Sequence, residues 1–201
     1  NLTSIDQTTD TPTNNFATLN PLSTKATLSE GNTVSAHDGS ATSYLNSVTT
    51  LGMTSGKWYC ECKVTVSGSF YPGIGIGSTD ASILQNKFSD SYLGETSDTY
   101  GFYASDDIYN NGSIIANVTT FATNDIISMA LDLDSAQNTL KYYKNGSLIH
   151  TINLPDNSSG WFFGSVQNNL NTSARAKFNF GNPSFTISSG NSDGNGYGNF
   201  E

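Results

Sequence analysis

The feature that most constrains this chain is the dipeptide Asn145-Gly146, set between two runs of alternating apolar residues. A two-residue hairpin loop of type I′ needs positive φ at both central positions, and Asn and Gly tolerate that conformation best. Upstream, Ile127, Met129, Leu131 and Leu133 alternate with Ile126, Ser128, Ala130 and Asp132, as expected of a strand with two unlike faces. A polar turn over Asp134–Asn138 separates that strand from Leu140 to Lys144. The stretch from Ile126 to Leu154 therefore reads as two hairpins in succession. A two-residue loop sets Tyr143 opposite Leu148, Tyr142 opposite Ile149 and His150 opposite Lys141.

Other segments follow the same grammar. Trp58, Cys60, Cys62, Val64 and Val66 form an apolar stripe, with Tyr59, Glu61, Lys63 and Thr65 on a polar, solvated face. Cys60 and Cys62 lie too close along one strand for good disulfide geometry and are expected as buried free thiols. Phe16–Leu19 is expected as a first edge strand, and residues 26–36 as a hairpin around Glu30-Gly31-Asn32. Ala41–Thr49 and Ile74–Gly77 are further strands, the latter with glycines that admit another backbone. Tyr100–Ala104 and Ile114–Val118 follow, joined by a loop over Ser105–Gly112. Trp161–Val166 and Ala174–Phe180 are expected to pair with each other across residues 167–173. Residues 78–99 show no firm periodicity, with a short helical turn expected at 81–87; long irregular insertions are often functional. About a dozen short strands without a βαβ pattern predict an all-β antiparallel β-sandwich. Residues 1–15 read as a linker, 16–187 as the domain, and 188–201 as a Gly/Asn-rich tail leading into a following segment.

Composition narrows the function. Of 201 residues, 12% are charged and the net charge is -9, so clustered cations for nucleic-acid phosphate or anionic membrane are lacking. No apolar run approaches a membrane-spanning length.

Several landmarks, in order and spacing over residues 55–183, resemble the SPRY domain, a concanavalin A-like jelly roll. They are Gly56-Lys57-Trp58-Tyr59 with Glu61, the Gly73–Gly77 segment GIGIG, Tyr100-Gly101-Phe102, and Asn124-Asp125-Ile126-Ile127 leading to Leu131-Asp132. The run LKYYKNG from Leu140 and Phe178-Asn179-Phe180-Gly181 complete the set. Cys60 departs from the family, where a bulky aromatic is common. The Asn/Thr/Gly-rich style is similar to SPRY domains carried by phage virion proteins. That resemblance implies a non-catalytic recognition module on the virion surface (tail, fibre or head) that binds a host-surface glycan or protein. The alternatives are a decoration domain contacting neighbouring virion subunits, with homo-oligomers formed through flanking segments, and a secreted carbohydrate-active enzyme.

The residues argue against the enzyme. Glucanases sharing the sandwich carry a Glu-x-Asp-x-x-Glu strand, whereas the four Glu here, Glu30, Glu61, Glu95 and Glu201, have no acidic partner at two-residue spacing. His37 and His150 sit in a turn and on a surface strand, unsuited to a triad. Asp132, Asp134 and Asn138, and likewise Asp106, Asp107, Asn110 and Asn111, can be read as calcium ligands or as turn formers. The second reading accounts for them better, and no metal or cofactor is expected. Six Asn-x-Ser/Thr sites are those a chain this rich in Asn, Ser and Thr carries by chance. The remaining signal is aromatic and acidic residues at strand ends: Tyr71 beside Phe70, Tyr92, Asp106, Asp107, Tyr109 and Trp161 are the candidate ligand contacts.

Overall fold

The computed structural model describes residues 15–24, 26–37, 44–66, 72–78, 91–156, 160–167 and 174–201. Among them are thirteen strands: β1 (Thr27–Ser29), β2 (Val34–Ala36), β3 (Leu45–Val48), β4 (Lys57–Thr65), β5 (Pro72–Ser78), β6 (Thr99–Phe102), β7 (Asp107–Asn110), β8 (Ser113–Asn117), β9 (Ile126–Asp132), β10 (Thr139–Lys144), β11 (Ser147–Asn153), β12 (Trp161–Gln167) and β13 (Arg175–Asn179). They form two antiparallel sheets, β1-β2-β13-β4-β9-β10-β11 and β3-β12-β5-β6-β7-β8. The expected antiparallel sandwich is the observed architecture. The expected helical turn at 81–87 falls outside the described residues.

The core lies where the inward faces meet. The first sheet contributes Cys60, Cys62, Val64, Ile127, Met129, Leu131, Leu140, Tyr142 and Phe178; the second contributes Ile74, Ile76, Phe102, Ile108, Trp161 and Phe163. Tyr142 spans the gap, donating its hydroxyl to the Ile74 carbonyl at 3.3 Å while its ring tilts against Phe102. Both cysteines are free and fully buried, as the strand spacing requires.

The Asn145-Gly146 turn forms as expected, with φ of 49° and 79° and Lys144 opposite Ser147. Tyr143 faces Leu148, but a register shift after that pair places His150, not Ile149, opposite Tyr142 and Thr151 opposite Lys141. Ile149 is the extra residue of the bulge and packs against the core, while Leu148 stays exposed. A second Asn-Gly turn, at Asn111-Gly112 (φ 51° and 68°), closes a β7–β8 hairpin where the sequence reading placed a loop. That pair also shifts register, between Ile108 and Tyr109.

Two pairings differ from expectation. β12 and β13 do not pair with each other: β12 lies between β3 and β5 in one sheet, and β13 between β2 and β4 in the other. Phe16–Leu19 makes no strand, only a bridge from Leu19 to Thr49. The stretch 188–201, expected as a tail, folds back on the first sheet. Asn191 bridges Phe200, Phe200 meets Tyr59 edge-on at 5.2 Å, and the Glu201 amide donates to Glu61. Glycine permits this packing, since a Cβ on Gly198 would lie 3.0 Å from the Gly181 Cα.

Candidate functional site

The site begins with missing side chains. Ile74 and Ile76 fill the core, so Gly73, Gly75 and Gly77 leave the opposite face of β5 as bare backbone. A Cβ on Gly73 would stand 2.4 Å from the Tyr103 ring and 2.8 Å from Val166; one on Gly101 would stand 2.3 Å from the Leu93 carbonyl oxygen. The Tyr103 ring and the 91–98 segment therefore lie directly on the outer surface of the second sheet. They build a small second core of Leu93, Tyr103 and Val166, against which Tyr44, Tyr92 and Tyr109 pack.

Hydrogen bonds fix this cluster. The Tyr103 hydroxyl donates to the Leu93 carbonyl at 2.8 Å. The Asn110 amide donates to the carbonyls of Ser97 and Thr99, and the Thr99 hydroxyl accepts from the Gly94 N–H, tying the segment to β7. Tyr109 meets Tyr103 at 5.5 Å and Tyr92 at 6.0 Å, both edge-to-face, and Tyr92 tilts against Tyr44 at 5.3 Å. Asp107 accepts from Asn117 at 2.7 Å, from the Ser105 hydroxyl at 2.9 Å and from Tyr109 at 3.4 Å. Burial pushes the Tyr103 and Tyr92 phenols up, with Glu95 and Tyr44 adding to the shift at Tyr92. These hydroxyls are neutral donors at physiological pH.

Three sequence-predicted residues, Tyr92, Asp107 and Tyr109, are thus brought together. Asp106 adjoins them and supplies the left-handed turn residue between β6 and β7 (φ 79°), its amide bonded to Tyr103 and its carbonyl to Val118. Tyr71 and Phe70 lie outside the described residues. Trp161 is a correction. It is 1% exposed, its ring tilted against Tyr100 at 6.0 Å in the core, because its strand position faces inward rather than onto a loop.

The carboxylates also need one correction. Glu61, expected on a solvated face, is 1% exposed because residues 188–201 cover it. It accepts from the Tyr59 hydroxyl, the Asn179 amide and the Glu201 N–H at 2.9–3.2 Å. Burial raises its pKa, a trait of general acids. Here, however, both oxygens are engaged in hydrogen bonds within the protein. Glu201 shares a recess with it, but its own carboxylate is turned to Ser188. Asp132 accepts from the amides of Asp134 and Ser135 and pairs with Lys57, and Asp134 accepts from Gly56, the bonding of turn formers. Among the described residues no three His, Cys, Asp or Glu gather as a metal site. His37 is buried, and His150 stands opposite Tyr142.

No family model matches the chain, and no curated protein matches it. Solved structures do. The SPRY domain of human HERC1 superposes with a TM-score of 0.65 at 16% identity, covering 80% of this chain and 96% of that one. A human SPRY domain gives 0.63 at 17% identity, covering 77% and 95%. The TRIM65 PSpry domain gives 0.62 at 14%, covering 81% and 88%. The fold is that of a SPRY domain.

On this SPRY sandwich a second aromatic surface lies at the start of β4, where strand alternation placed Trp58 in the core stripe and Tyr59 on the solvated face. Trp58 and Tyr59 are each 40% exposed, since β4 begins beyond the covered part of the sheet. Both line a recess of about 590 Å³ walled by residues 191–193, Tyr197, Gly198, Phe200 and Glu201. The available sequence signal was position: a Trp two residues after Gly56 stands at the strand's mouth, not its middle.

Proposed function

We propose that this chain is a non-catalytic recognition module whose contact surface is the tyrosine patch of Tyr44, Tyr92 and Tyr109 with Asp107. The observation that carries this reading is the way bare glycine strands seat the patch on the sandwich. Its rings are positioned before any partner arrives, so little ordering entropy is lost on binding. Flat apolar rings beside fixed hydroxyl and carboxylate groups suit a host-surface glycan or protein. The engaged, covered state of Glu61 supports binding over hydrolysis. The charge-poor, Asn/Ser/Thr/Gly-rich composition and the similarity to virion-borne SPRY domains support placing the module on a tail, fibre or head surface.

Screening against arrays of cell-surface glycans and proteins tests this reading. The expected result is a saturable signal lost in Tyr92→Ala while far-UV circular dichroism is unchanged. Signals indifferent to substitution at Tyr44, Tyr92 and Tyr109 would overturn it, as would release of reducing sugar abolished by Glu61→Gln. A second reading, a decoration domain contacting neighbouring virion chains, is favoured by the exposed Ile114, Ile115 and Leu148 on the outermost strands. Labelling of purified particles combined with cross-linking separates the two.

A further inference from the structure

We infer that the Trp58–Tyr59 recess is a binding site for a neutral oligosaccharide, separate from the tyrosine patch. Three aromatic side chains, Trp58, Tyr59 and Tyr197, line it and are 40–48% exposed. Large aromatics left this open around one concavity are not a folding requirement, since their burial would add stability. Trp58 is held in place: its indole N–H donates to the Ser55 carbonyl at 2.7 Å and its ring rests against Gly56, where a Cβ would approach to 3.1 Å. A fixed flat ring is what the C–H face of a pyranose stacks on.

The polar groups point to an uncharged ligand. Asn15, Asn191 and Ser192 supply amide and hydroxyl groups to the wall. The charges beside them are already engaged. Lys57 pairs with Asp132 at 3.0 Å, Asp193 accepts the backbone N–H groups of Asn195 and Tyr197, and Glu201 accepts from the backbone N–H and the hydroxyl of Ser188. An anionic ligand therefore meets no uncommitted cation in this recess, and the carboxylates of Asp193 and Glu201 at its wall disfavour it further. The volume of about 590 Å³ lies within the range of small-ligand sites. A second recess of about 250 Å³ shares Lys57, Trp58 and Tyr59 and continues toward Thr139, Lys141 and Tyr143. The two recesses meet at Lys57, Trp58 and Tyr59, so a short chain of sugar rings can occupy both, as a monosaccharide cannot.

The chain carries its own reporter. It has two tryptophans, and Trp161 is 1% exposed, so acrylamide quenching and ligand-induced spectral shifts report on Trp58. The protein is titrated with hexasaccharides of glucose and of N-acetylglucosamine, and with oligogalacturonate as the acidic comparison, by fluorescence and calorimetry. The expected result is a saturable blue shift and protection from acrylamide with one of the two neutral probes. Tyr197→Ala, at an exposed position, should weaken binding about two- to tenfold, the range that one aromatic contact carries. Trp58→Phe should weaken it as well, with Leu22→Ala, at an exposed position outside the recess, unchanged. Binding of neither neutral probe, a preference for oligogalacturonate, indifference to both Trp58→Phe and Tyr197→Ala, or loss in Leu22→Ala would each overturn the assignment.

Discussion

Gly73→Ala adds one methyl group where the SPRY sandwich has no room for it. The new carbon would stand 2.4 and 2.6 Å from two carbons of the Tyr103 ring and 2.8 Å from a Val166 methyl, far inside van der Waals contact. The ring cannot withdraw freely. Its hydroxyl is bonded to the Leu93 carbonyl, and Tyr92 and Tyr109 stand edge-on to it. Overpacking of this kind costs about 1–3 kcal/mol, and loss of a buried hydrogen bond adds about 1 kcal/mol. The expected destabilisation is thus about 2–4 kcal/mol, a fall in Tm of roughly 5–15 °C for a chain of this size. Urea unfolding followed by Trp fluorescence measures it, with Gly194→Ala as control, because nothing lies within 4 Å of that position. The control should stay within about 0.5 kcal/mol of the parent. Because the tyrosine patch is displaced with Tyr103, any ligand signal assigned to Tyr92 should weaken too. If Gly73→Ala proves as stable as Gly194→Ala, Tyr103 does not sit on the glycine strand and the account of the patch fails.

Four further outcomes follow from the geometry. Glu61→Ala leaves the buried Asn179 amide short of a partner and should cost about 1–3 kcal/mol, freeing residues 188–201 to proteases while Glu61→Gln keeps them protected. Burial raises the folded pKa of Glu61, so its contribution to stability is full below the ordinary carboxylate value and declines as pH rises through the folded one; Glu61→Gln should remove that component from the pH–stability curve. Asp132, held by Lys57 and the Ser135 side chain, should titrate at about 2 by NMR and move back toward the ordinary aspartate range in Lys57→Ala; its contribution is present above the unfolded value and lost as pH falls through about 2. Burial pushes both cysteine thiols up, so Cys60 and Cys62 should resist thiol reagents at pH 8 until urea unfolds the chain.

What could be read from the sequence was local. Strand alternation and the Asn145-Gly146 turn reveal the β9–β10–β11 meander, because a two-residue loop and a period of two are properties of neighbouring residues. The same signal stands at Asn111-Gly112, but Asp107–Asn110 is too short and polar to announce a strand. Ile108, fully buried, was its one apolar clue. Assignment of β12 and β13 to different sheets was illegible, because partners are chosen by packing across the whole chain and not by adjacency. Glu61 shows the limit of alternation. The pattern identifies the face opposite the core correctly, but not that residues 188–201 return to cover it. Tyr92, Asp107 and Tyr109 were selected as aromatic and acidic residues near strand ends, and chain topology then placed them side by side.

The four strands that border the two sheets share a further property. β1 and β3 are three and four residues long, and β8 and β11 are each joined to their neighbour through a register shift. An incoming strand meets either too short a rail or one whose spacing of N–H and C=O groups is interrupted. Copies of this chain at high local concentration can therefore stand side by side without zipping edge to edge into fibrils.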